Sequence, residues 1–287
     1  MNALAVSYHT VKVHDLNVFY RESGPVGAPS LLLLHGFPTS SHMYRNLIPI
    51  LNKEYHVIAP DLIGFGFSDA PDHRRFSYTF DNLTRYVQGL IDVLGLEKFA
   101  LQVFDYGAPV GWRLAMANPE KITAIISQNG NAYEEGLSEG WNPIRQYWKE
   151  PSEANRNNLR AMMTLETTKF QYFTGVSDPG LIAPEAYWLD QFLMDRPGNA
   201  ELQLDLMKDY ANNVAMYPQF HEYFRVYQPP FLAVWGDKDP FFLPAGAEAF
   251  KRDLPKAVVK FYDTGHFALE THVREIGEGI RIFLKSI

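Results

Sequence analysis

Residues 99–107 read Phe-Ala-Leu-Gln-Val-Phe-Asp-Tyr-Gly, and a run of helical character follows from Val110 to Ala117. A nearly unbroken apolar stretch of this length is the signature of a strand covered on both faces. Asp105 and Gly107 then stand at the junction of that strand with a helix. A carboxylate there has two readings: a helix N-cap that accepts from the first free amides, or a reactive group held at the carboxyl end of a parallel strand, where open α/β sheets collect their chemistry.

The same texture recurs along the chain. Leu31 to Leu34, Val57 to Ala59, Ile122 to Ile126, Phe231 to Trp235 and Val258 to Tyr262 are short apolar runs. Between several of them lie amphipathic segments. In one, Leu83, Tyr86, Val87, Leu90, Ile91 and Leu94 share a face, with Asp81 placed to cap it and Gly95 to end it. Strand and helix in alternation predict a mostly parallel central sheet flanked by helices, an α/β fold. The alternation stops after Asn129-Gly130 and resumes at Pro229-Pro230. The stretch between holds Trp141, Trp148, Trp188 and many Tyr and Phe but little that resembles a strand. The expected organisation is therefore one core, residues 1–130 and 229–287, with a helical cap inserted at 131–228.

Composition narrows the function. The 287 residues carry 26 Lys+Arg against 33 Asp+Glu, a net charge of -7, with 46% hydrophobic residues. That balance leaves no basic surplus for phosphates, so nucleic acid is not an expected partner. With no cysteine there is no thiolate nucleophile, disulfide or Cys-ligated metal. No apolar stretch approaches the roughly 18 residues of a membrane span, and Met1 to Thr10 has no leader pattern. We expect a mature cytoplasmic protein with no membrane partner. No zinc motif, phosphate loop or dinucleotide fingerprint occurs, so neither metal nor cofactor is expected.

Four strand ends carry the candidate chemistry: His35-Gly36-Phe37-Pro38, Asp105-Tyr106-Gly107, Gly236-Asp237-Lys238-Asp239 and Asp263-Thr264-Gly265-His266. In this the sequence resembles the α/β-hydrolase superfamily, whose triad runs nucleophile, acid, histidine and whose HG-type loop supplies part of the oxyanion hole. Asp61 to Asp69 (DLIGFGFSD) resembles the family's loop after its fourth strand. The usual G-x-S-x-G serine is absent, and Asp105 stands at the elbow. The resemblance implies Asp105 as nucleophile, His266 as base, and the amides of Phe37 and Tyr106 as oxyanion donors. The acid is Asp239 or Asp237, and the family's spacing from Gly236 points to Asp239. His35 is expected to be a structural hydrogen-bonder of the oxyanion loop.

An aspartate elbow implies different chemistry from a serine one. A carboxylate attacks an alkyl carbon that bears a leaving group or belongs to a strained ring, and water activated by a histidine then hydrolyses the resulting ester. This is the pattern of the epoxide hydrolase and haloalkane dehalogenase branch. HG-F-P is more like the epoxide hydrolases, whose cap tyrosines donate to the epoxide oxygen. Tyr147 and Tyr210, the latter in a Tyr-Ala-Asn segment resembling Tyr-Arg-Asn, are the candidates, with Tyr172 and Tyr217 as substitutes. Dehalogenation is the alternative. It would need halide donors from Tyr106 or from a cap tryptophan, Trp141, Trp148 or Trp188. Ester or amide hydrolysis with Asp105 as general base, and a silent ligand-binding protein, complete the alternatives. The expected reactants are water and a small apolar organic molecule in a pocket that Met162 and Met163 help to line. The oligomeric state cannot be read from the chain.

Overall fold

The computed structural model describes residues 4–287; residues 1–3, the start of the expected core, lie outside the described residues. Eight strands form one sheet in the order β1-β2-β4-β3-β5-β6-β7-β8. They are β1 (Ser7–Val13), β2 (Leu16–Ser23), β3 (Ser30–Leu34), β4 (His56–Pro60), β5 (Phe99–Phe104), β6 (Ile122–Gln128), β7 (Phe231–Gly236) and β8 (Val258–Tyr262). From β4 across to β8 every neighbour is parallel, while β1 and β2 pair antiparallel with each other and β2 antiparallel with β4. Every apolar run singled out in the sequence is a strand. The hairpin of β1 and β2 was not anticipated, because its half-exposed strands mix polar and apolar residues.

Alternate residues of each central strand feed opposite faces. Leu32, Leu34, Leu101, Val103 and Trp235 join one apolar cluster, and Leu31, Leu33, Ala100, Phe104 and Val234 join the other. Burial on both faces is why these strands read as continuous runs. β8 departs from that expectation. It has a strand neighbour on one side only, and Val258 and Phe261 are 42% and 40% exposed.

The core helices are α1 (Ile48–Leu51), α2 (Phe80–Val93) and α3 (Gly107–Ala117), then α10 (Pro244–Asp253) and α11 (Ala268–Lys285) beyond β7. Gly95 takes φ +65° just past α2, where a side chain would be strained. The cap of α2 is not Asp81 but Thr79, whose extended backbone lets its hydroxyl accept from the Asn82 amide. Asp81 lies in the first turn and pairs with Arg113. Between β6 and β7 the chain forms helices α4 (Asn142–Lys149), α5 (Glu153–Asn158), α6 (Leu165–Phe173), α7 (Pro184–Met194), α8 (Asn199–Ala215) and α9 (Tyr217–Tyr227), with short 3₁₀ turns. Among the described residues, no helix is long and apolar enough to cross a membrane.

Candidate active site

The site is assembled at the carboxyl ends of β3, β5, β6 and β7 and in the turn after β8. Asp105 follows β5 with φ +47°, a left-handed conformation that costs a non-glycine residue energy. This sharp reversal turns the carboxylate away from the strand line just ahead of α3. The N-cap of α3 is Tyr106, without a side-chain cap bond, so the carboxylate of Asp105 is not spent on capping. Two glycines permit the packing: a Cβ on Gly107 would collide with the carbonyl of Leu34, and one on Gly36 with Asp105 itself.

Asp105 Oδ1 accepts from the Phe37 amide at 2.6 Å. Burial pushes its pKa up to about 6, while the charge of His266 and the amides of Phe37 and Tyr106 hold it down. His266 Nε2 lies 3.9 Å from Asp105 Oδ2. On its other side, His266 Nδ1 donates to Asp239 Oδ2 at 2.7 Å. That bond fixes the Nδ1–H tautomer and leaves the Nε2 lone pair toward Asp105. Burial opposes a charge on His266, but Asp239 and then Asp105 outweigh it and the net direction is upward. Aromatic rings wall the imidazole in, with Phe104 and Phe267 centred 4.6 and 5.3 Å away.

Asp239 is held by four donors: His266 Nδ1 and Asn129 Nδ2, each 2.7 Å from Oδ2, and the amides of Phe241 and Phe242 on Oδ1 at 2.8 and 3.1 Å. Asp237, the other carboxylate of that turn, is exposed. Asn129 was missed in the sequence, where Asn-Gly read only as a turn; its place at the end of β6 was the signal that pointed to it. His35 behaves as expected. Its Nε2 accepts from the Leu62 amide at 2.9 Å and its Nδ1 donates to the Gly36 carbonyl at 3.0 Å, and burial lowers its pKa.

A cavity of about 30 Å³ opens on these groups, lined by Phe37, Asp105, Tyr106 and His266 from the core and by Trp141 and Met207, among others, from the helical segment. Larger clefts lie elsewhere on the surface and contain none of the triad candidates. The expected tyrosines sit outside the cavity. Tyr147 accepts from Arg156 at 3.0 Å, and Tyr172 donates to Asp190 at 2.5 Å. Tyr210 packs at a tilt against Tyr106 and Trp141, with centroids 5.8 and 4.5 Å apart. Trp148 donates to the Met207 carbonyl at 2.7 Å, Trp141 to that of Phe241 at 3.2 Å, and Trp188 is half-exposed. Met162 lines the cavity, and Met163 does not.

A strand-to-helix elbow, an HG loop and a buried His–Asp pair define a hydrolase of the α/β class. Residues 29–273 match the family model of the alpha/beta hydrolase fold, and the chain belongs to that family. It is 47% identical over 285 residues to an uncharacterized hydrolase of Saccharomyces cerevisiae, covering 98% of each chain. It is 28% identical over 274 residues to a haloalkane dehalogenase of Psychrobacter cryohalolentis, covering 92% of this chain and 86% of that one. It is also 27% identical over 257 residues to epoxide hydrolase 4 of Homo sapiens, covering 85% of this chain and 68% of that one. The protein is thus a hydrolase of the branch that holds haloalkane dehalogenases and epoxide hydrolases.

Proposed function

We propose that the protein hydrolyses small uncharged alkyl electrophiles through an ester formed on Asp105, with residues 131–228 acting as a cap over the site. The observation that carries this reading is the relation of Asp105 to its neighbours. Oδ1 is bound by the Phe37 amide at 2.6 Å, while Oδ2 faces His266 across 3.9 Å. In the proposed reaction Oδ2 attacks carbon and the leaving group departs with the bonding electrons. Oδ1 then becomes the ester carbonyl oxygen, already seated on the donors that stabilise a tetrahedral oxyanion. Water attacks that carbonyl carbon, giving its proton to His266 Nε2. Collapse breaks the carbonyl carbon–Oδ2 bond, the Nε2 proton passes to the departing oxygen to give the alcohol, and loss of the remaining proton restores the carboxylate.

The charges fit this order of events. Esterification removes the negative charge of Asp105, one of the two that raise the pKa of His266. The imidazole is therefore a neutral base more readily in the ester than in the free enzyme. Asp239 stays ionised and stabilises the imidazolium that forms.

The leaving group distinguishes two readings. Epoxide opening requires a hydroxyl that protonates the alkoxide, and none of Tyr147, Tyr172, Tyr210 and Tyr217 lines the cavity. This favours a halide, which leaves unprotonated; with the indoles of Trp141 and Trp148 bound to backbone carbonyls, Tyr106 is the expected halide donor that remains at the cavity. Epoxide hydrolysis would need a tyrosine hydroxyl such as that of Tyr210 to turn into the cavity. Release of halide from alkyl halides, against diol from epoxides, separates the two. A single turnover in ¹⁸O-water tests the ester itself: the first product carries unlabelled oxygen from Asp105, whereas labelled oxygen in that product would make Asp105 a general base.

A further inference from the structure

Gln171 on α6 lines the cavity beside Asp105 and His266, is 3% exposed, and has no hydrogen-bond partner for its buried Nε2 among the described residues. The neighbouring glutamine of α7 shows what a structural amide looks like in this segment. Gln191 accepts from Thr168 at 2.7 Å and donates to the Met163 carbonyl at 2.9 Å and to Asp195 at 2.7 Å. Apart from the reacting atoms Asp105 Oδ2 and His266 Nε2 and the Tyr106 hydroxyl, the other polar side-chain atoms at the cavity are committed. The Trp141 indole donates to the Phe241 carbonyl, Asp105 Oδ1 is bound by an amide, and His266 Nδ1 is bound by Asp239. A buried amide left unmatched is costly, and that cost is recovered when a ligand supplies the partner.

We infer that Gln171 is a substrate-recognition residue whose carboxamide hydrogen-bonds a neutral polar group next to the reacting carbon, so that the preferred substrates are small halogenated amides, ketones or alcohols. The inference rests on the Asp105 reading above and sharpens its substrate class. A primary amide both donates and accepts, so it matches a carbonyl, an amide or a hydroxyl. A free carboxylate fits poorly: no Lys or Arg lines the cavity, and the charge of Asp105 repels it. A plain haloalkane leaves Gln171 unmatched. The free volume of about 30 Å³ holds on the order of two waters, which restricts the substrate to a few heavy atoms and requires some outward give of the helical segment. For a 2-haloamide, the Asp105 Oδ2–carbon bond forms as the carbon–halogen bond breaks. Water then adds to the ester carbonyl and its oxygen stays in the carboxylate, while Asp105 Oδ2 leaves with the carbon as the product hydroxyl and takes one proton, so that 2-haloamide and water give 2-hydroxyamide, halide and H⁺.

The test compares chloride release from 2-chloroacetamide, chloroacetate and 1-chloropropane by the full chain and by Gln171→Met and Gln171→Glu. Intrinsic reactivity cancels when each variant's amide-to-haloalkane ratio of kcat/KM is divided by the parent's. That quotient falls about 10- to 100-fold in Gln171→Met, which keeps the shape and loses the hydrogen bonds. The thermal midpoint of the variant stays level or rises, since an unmatched polar group has been removed. Gln171→Glu discriminates further against carbonyl acceptors because its two N–H donors are gone. A quotient near one in both variants overturns the inference, and so does a fall in midpoint with both substrates slowed alike. In either case an adduct on Asp105 in His266→Gln leaves the mechanism standing. No adduct from any of the three compounds overturns both.

Discussion

The sheet ends and the helical segment between β6 and β7 build the two halves of the site in different ways. On the sheet side the atoms that hold the reacting groups are matched, although Gln102 Oε1 and Gln128 Nε2 on β5 and β6 have no partner among the described residues. Asp239 alone takes four donors, and the backbone at Asp105 is held in a strained turn by its surroundings. On the helical side several buried polar atoms have no partner, including those of Gln171, Gln203 and Asn213. A saturated network has one arrangement and suits a fixed reaction. Of the unmatched groups in the helical segment, Gln171 is the one that lines the cavity, where a ligand can supply the contact it lacks.

If this contrast holds, the largest effects come from the sheet side. Asp105→Ala abolishes turnover, with kcat reduced by about 10⁴-fold or more in steady-state assays of halide or diol formation. Asp239→Asn reduces kcat by about 10³- to 10⁴-fold, because the carboxamide presents the wrong partner to Nδ1 and the imidazolium loses its counter-charge.

The pH profile has a defined sign. Attack requires ionised Asp105, whose pKa burial has pushed up to about 6, and base catalysis requires neutral His266. kcat/KM therefore rises with pH through the region near 6, and a flat profile between pH 5 and 8 contradicts the buried-nucleophile account. The titration belongs to the Asp105–His266 pair, so replacing His266 shifts it.

Smaller effects belong to supporting residues. Asn129→Ala removes one of the two donors on Asp239 Oδ2 and lowers kcat by about tenfold with a stability loss of about 1–2 kcal/mol, read by denaturant unfolding. The smallest effect lies in the helical segment. Tyr147→Phe, which loses only the bond to Arg156, changes kcat/KM by less than about twofold and costs about 1 kcal/mol of stability. A large loss of activity in that variant would bring Tyr147 back as a ring-opening acid.

This division also explains what could be read in the sequence. Parallel strands covered on both faces, each ending in a Gly, Asp or His turn, leave a local pattern that singles out Asp105 directly after β5 and Asp239 and His266 in the turns after β7 and β8. The choice of Asp239 over Asp237 rested on two positions of spacing, and the structure pairs Asp239 with His266 at 2.7 Å. The helical segment has no comparable code. Tyr147 and Tyr210 were sensible choices by residue type and position, but the direction of a helical side chain depends on the packing of several helices, and here neither residue lines the cavity. Gln171 gave no signal at all, since its role depends on which partners are missing in three dimensions.

The most direct test of the central claim is the intact mass of His266→Gln after incubation with alkyl halides and epoxides. Loss of the base leaves attack possible and blocks ester hydrolysis. The account predicts a stable mass increase equal to the alkyl fragment, localised by peptide mapping to Asp105. An unmodified, folded variant whose parent turns over the same compounds would contradict it.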